Sequence, residues 1–125
     1  MTSFNDYRDL EVWRKAMQVV KDVYLLTKEF PQSELYGLTS QMRRAAVSIP
    51  ANIAEGWGRR YTAEFIQFIR QANGSRTELE TLLILSSEID LCSPEAAQAI
   101  LDELQVTGKQ LNNLERSLQR KKNSP

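Results

Sequence analysis

A chain of 125 residues with 42% hydrophobic content is long enough for one compact domain with its own core and too short to be read comfortably as two. Its 16 basic and 16 acidic residues cancel, and with one cysteine and no histidine it lacks an intramolecular disulfide framework, every Ser-His or Cys-His arrangement and the commonest zinc ligand. No run approaches the ~18 consecutive apolar residues of a membrane span, and the N-terminus lacks the charged-then-apolar layout of a secretory signal, so a cytoplasmic chain with no membrane partner is expected.

The spacing predicts a first helix over residues 10–30 with Asp9 as its cap. It carries two adjacent apolar seams, Leu10, Trp13, Met17, Val20, Tyr24 and Val12, Ala16, Val19, Val23, Leu26, Phe30, a surface wider than one packing partner requires. Pro31 ends it. A second helix is expected from Leu38 or Thr39 towards Gly56, with Leu38, Met42, Ala45, Ala46, Ile49 and Ile53 as its core face and a kink at Pro50, which lacks the amide that would bond the Ala46 carbonyl.

A third helix, capped by Thr62 and carrying Phe65, Phe68, Ile69, Ala72, Leu79, Leu82, Leu83 and Ile89, is expected over residues 62–90. Gly74 and Ser75 in its middle suggest the close approach of another helix. Ser93, Pro94 and Glu95 make the clearest helix start in the chain: a capping hydroxyl, a proline where no amide is needed, and an acid at the positive end of the dipole. Ala97, Ile100, Leu104, Leu111, Leu114 and Leu118 continue the stripe, and a basic tail over residues 119–125 is expected to fray. With no strand-like alternation, the economical fold is all-α: one domain, residues 1–125, folded as an antiparallel up-and-down four-helix bundle.

Charge is segregated along the chain. Between Gln41 and Arg76, six arginines (Arg43, Arg44, Arg59, Arg60, Arg70, Arg76) face only Glu55 and Glu64, whereas between Thr77 and Glu115 Lys109 stands alone against eight acids. Guanidinium groups pair with phosphate oxygens and stack on bases, which makes these six arginines the candidate nucleic-acid contacts. Solvated charges or partners for the acidic helices are the plainer alternative. Trp57 and Tyr61 bracket Arg59 and Arg60, an arrangement suited either to stacking on unpaired bases or to closing the bundle's end.

Sites of chemistry are otherwise wanting. Gly56-Trp57-Gly58 lacks the further glycines and lysine of a phosphate loop, Cys92 has no basic neighbour in sequence, and Glu78, Glu80 and Glu88 have no histidine to complete a diiron set. No catalytic residue, metal or cofactor is therefore expected. Helical spacing places Gln41, Ser48, Asn52 and Glu55 along one polar strip, read either as a hydrogen-bond network supporting the Pro50 kink or as a recognition surface.

Leu10-Glu11-Val12-Trp13, Phe30-Pro31, Tyr36-Gly37-Leu38, the run from Gln41 to Gly56 containing Ser48-Ile49-Pro50-Ala51-Asn52-Ile53-Ala54-Glu55-Gly56, and Gly74-Ser75 with Glu78-Leu79-Glu80 resemble the 23S ribosomal-RNA intervening-sequence proteins. The resemblance covers nearly the whole chain. It implies a four-helix protomer and, as in the similar accessory proteins of diversity-generating retroelements, a barrel-shaped homopentamer. Those relatives bind a reverse transcriptase and nucleic acid through basic surface, whereas this chain is neutral overall. Two functions stay in view: an oligomer that contacts RNA or a nucleic-acid-processing protein through its arginines, and an adaptor that binds protein alone.

Overall fold

Helical periodicity accounts for most of the architecture. The computed structural model describes residues 6–124, in which four helices run Glu11–Thr27 (α1), Ser40–Trp57 (α2), Thr62–Glu88 (α3) and Pro94–Lys122 (α4). No strand occurs among the described residues, and the fold is the all-α four-helix bundle that the spacing predicts. Residues 1–5 of the expected domain and Pro125 of the expected tail lie outside the described residues.

The two seams of α1 are unequal. Val12, Ala16, Val19 and Val23 are buried, joined by Phe30 beyond the helix end, whereas Leu10, Trp13 and Val20 pack only partly against the core and Tyr24 stays exposed. Asp9 is not the cap: it closes a 3-10 turn, Tyr7–Asp9, and Leu10 stands at the cap without a side-chain hydrogen bond. The helix also stops early, at Thr27, whose hydroxyl donates to the Val23 carbonyl at 2.7 Å. The chain then passes through a 3-10 turn, Gln32–Glu34, and a wide π turn, Leu35–Thr39, in which Gly37 is non-helical at φ −109 and ψ −115.

α2 buries Met42, Ala45, Ala46, Ile49 and Ile53 as its spacing requires, with Pro50 buried inside it. The close helix contact lies at Gly56, not at Gly74. A Cβ on Gly56 would sit 2.8 Å from both Phe65 Cδ1 and Phe68 Cβ, while one on Gly74 would meet nothing within 4 Å. Thr62 is the first helical residue of α3 and Tyr61 its cap, again without a side-chain bond. At its other end Asp90 adopts φ 64, and the amides of Asp90 and Leu91 close back on the carbonyls of Ser87 and Ser86 at 3.1 and 2.8 Å. That pattern usually uses glycine, and asparagine or aspartate tolerate it next best.

α4 begins as expected, with Ser93 Oγ accepting from the Ala96 amide at 3.0 Å and Pro94 in the first turn, and it continues past Gln119 to Lys122. Each helix packs against its sequence neighbour, and α1 against α4. This cyclic order, with short links at residues 58–61 and 89–93, is the one an up-and-down course requires. Burying an Ile or Leu side chain contributes about 1.5–3 kcal/mol, against about 0–1 kcal/mol for an exposed ion pair. The shared core of Met42, Ile49, Ile53, Ile69, Leu79, Leu83, Leu104 and Leu111 therefore holds the bundle, not its surface charges.

Candidate nucleic-acid interface

The six arginines fall into three pairs with different surroundings. Arg70 and Arg76, on α3, are engaged within the protomer. Arg70 Nε donates to Glu115 Oε2 of α4 at 2.9 Å; Arg76 donates through Nε to Asn73 Oδ1 and through Nη1 to Glu80 Oε2, both at 2.8 Å. Arg76 also lies over Gly108 of α4, where a Cβ would come within 2.7 Å of its Cζ, and its side chain is only 15% exposed. These two belong to the α3–α4 interface and its immediate surroundings, as the plainer reading of the charges anticipates.

Arg43 and Arg44 face outward near the start of α2. The Arg43 guanidinium stacks on the Tyr24 ring at 4.6 Å and its Nε donates to Thr27 Oγ1 at 2.9 Å, which joins α2 to α1 and fixes the group's position. Arg44 is exposed, with no ion-pair partner among the described residues. Both line a groove of about 640 Å³ with Tyr24, Tyr36, Thr39 and Ser48. Tyr36 is 94% exposed. Thr39 is buried, yet among the described residues its hydroxyl has no hydrogen-bond partner, a state that costs about 1–3 kcal/mol for a buried polar group.

Arg59 and Arg60 stand in the turn after α2. Arg59 pairs with Glu55 at 2.6 Å and lies over Phe68 at 4.7 Å, while Arg60 lies 6.0 Å from the ring centroid of Tyr61, itself 62% exposed. With Trp57 and Lys121 they border a second groove of about 410 Å³. Trp57 packs edge-on to Phe65 at 6.2 Å, so it closes the bundle's end, and only Tyr61 of the two bracketing aromatics is open. Sequence reasoning passed over Lys121, which belongs to α4 and not to a frayed tail, Tyr24, which the packing of α1 on α2 brings to Arg43, and Tyr36, which the turn after α1 brings to the same groove.

The polar strip of α2 divides. Asn52 Nδ2 donates to the Ser48 carbonyl at 2.8 Å and to Ser48 Oγ at 2.9 Å, and Ser75 Oγ of α3 donates to the same Ser48 Oγ at 2.9 Å. The network thus serves the Ser48 carbonyl and the α2–α3 contact, not the Ala46 carbonyl. Glu55 turns to Arg59, Gln41 is exposed, Pro50 is buried, and Gly56 is buried against Phe65 and Phe68 of α3. Ser75, rather than Gly74, is the residue of that pair that meets α2.

A third groove, about 580 Å³ between α1 and α4, is acidic, lined by Asp22, Glu29 and Glu103 beside Leu25, Cys92 and Ile100. Burial and then the neighbouring Asp22 push the Glu103 carboxyl up to about 7, against the opposing pull of Lys15 at 3.7 Å. Burial also pushes the Cys92 thiol up, away from the reactive thiolate. Among the described residues no three His, Cys, Asp or Glu side chains are grouped to hold a metal ion, and no helix is long and apolar enough to cross a membrane.

The molecule so described is a four-helix bundle in which Arg43, Arg44 and Arg60, without ion-pair partners among the described residues, lie near exposed tyrosines at the two ends of α2. Residues 8–113 match the 23S rRNA-intervening sequence protein family, and the chain belongs to that family. Its fold is shared by a protein of unknown function from the S23 ribosomal protein family of Bacteroides thetaiotaomicron VPI-5482. The two are 24% identical, with a TM-score of 0.75 over 83% of this chain and 97% of the other. Comparison with curated proteins finds no match.

Proposed function

We propose that this protein is a non-enzymatic, oligomeric binding protein that contacts RNA through Arg43, Arg44, Arg59 and Arg60. The observation that carries the reading is the placement of Arg43, Arg44 and Arg60, which have no ion-pair partner among the described residues, near exposed Tyr24, Tyr36 and Tyr61; Arg59 stands beside them with Glu55 as its partner within α2, whereas Arg70 reaches across to α4 and Arg76 is largely buried against it. Cation beside open ring is the combination that tracks a phosphate backbone and stacks its bases. Assembly into a ring repeats a few contacts per protomer and raises a weak affinity by multivalency. Exposed Ile84, Leu85 and Ile89 on and just after α3, and Leu25 on α1, are the apolar surface that such an assembly, a homopentamer in the family resemblance, would cover.

The test replaces Arg43, Arg44, Arg59 and Arg60 together with Ala. The variant should keep its helical content and its oligomeric mass while losing RNA binding. Four phosphate contacts on a single strand give log K a slope of about −3 against log salt, and that slope should flatten towards zero. A wild-type oligomer that fails to bind RNA even at low salt would instead make the protein an adaptor for another protein.

A further inference from the structure

Within that RNA reading, we infer that the groove between Tyr36 and Arg44 receives one unstacked nucleotide of a single strand, its base on the Tyr36 ring and its phosphate between Arg44 and Arg43. Tyr36 projects from the π turn, and its 94% exposure leaves the ring uncovered. The turn itself is held from behind, since the Glu34 carboxylate accepts from the Leu38 amide at 3.4 Å. Beneath it, Thr39 is 3% exposed and carries a hydroxyl with no partner among the described residues. Arg43 spends its Nε on Thr27 and its face on Tyr24, so its remaining N–H groups are presented at a fixed place on the wall.

Charge selects the occupant. The groove is lined by two arginines and no carboxylate, whereas the α1–α4 groove carries Asp22, Glu29 and Glu103 and would repel a phosphate. An acidic peptide would satisfy the arginines but leave the open ring and the buried hydroxyl unused. A nucleotide uses all three kinds of group, because every base has a face to stack and polar edges to bond.

The measurement is anisotropy of a labelled eight-nucleotide single-stranded oligoribonucleotide with the full chain. Tyr36→Ala, at a residue with almost no packing to lose, should weaken binding about tenfold, and Tyr36→Phe should retain it. Arg44→Ala should weaken it as well. An abasic oligomer of equal length should bind the wild type no more tightly than the intact strand binds Tyr36→Ala. If Tyr36→Ala binds like wild type while Arg59→Ala and Arg60→Ala lose affinity, the nucleotide site is overturned and the RNA reading stands. If the wild type binds no strand at low salt, both fall. If poly-glutamate binds with the same dependence on Tyr36, the groove takes protein and not a base.

Discussion

Two glycines of similar appearance in the sequence occupy opposite situations. Gly56→Ala drives a methyl to 2.8 Å from Phe65 and Phe68, and overpacking of this kind costs about 1–3 kcal/mol. Gly74→Ala adds a methyl to open space on an exposed helix face, where relief of backbone entropy stabilises by about 0.5–1 kcal/mol. Thermal melts should therefore move in opposite directions, and a common sign would refute the assignment. Gly74 and Ser75 together suggest a close approach, and Ser75 does meet Ser48 of α2, but spacing does not show which glycine a neighbouring ring reaches. Glu103 supplies the pH prediction. Its carboxyl titrates at about 7 in the folded chain, above the 4.5 of a free one, so between those values the folded state holds a proton that the unfolded state has released. Stability then falls as pH rises through that window. Glu103→Gln should show its greatest gain in melting temperature over wild type at pH 8 and a smaller one at pH 5, and a gain independent of pH would remove the role.

At the scale of elements, the four helices and their core faces were legible because 3.6-residue periodicity is a direct consequence of burying one side. Their ends were not. Ser93 declared its helix through a hydroxyl that reaches an amide, but Leu10 and Tyr61 stand at caps with no side-chain bond, and nothing in those residue types announces a boundary. The π turn Leu35–Thr39 was equally hidden, and with it the neighbourhood of Tyr36 and Arg43, because it depends on the non-helical Gly37 and the Glu34 carboxylate together. Pro50 belongs to this scale. It is buried in the middle of α2 and has no amide to donate to the Ala46 carbonyl, so any role it has there is through the geometry its ring imposes. Pro50→Ala should keep the helical content seen by circular dichroism while redirecting the second half of α2. An unchanged axis in the variant's structure would show that the proline steers nothing.

For the whole molecule, the segregation of charge along the chain says more than its zero sum. It located the candidate contacts, yet it could not separate Arg70, which reaches Glu115 across the α3–α4 interface, from Arg44, which faces solvent, because that distinction is made by tertiary packing. The same packing order bears on how the chain reaches its fold. Three of the four helix interfaces join elements adjacent in sequence; only α1 against α4 brings together distant stretches. Local contacts form quickly and long loops close late, so the bundle has the low contact order of fast folders, with docking of α1 on α4 as its most non-local step. The interface that joins the most distant stretches is also the one carrying Asp22, Glu103 and Lys15, so the raised Glu103 carboxyl ties proton uptake to the docking of α1 on α4.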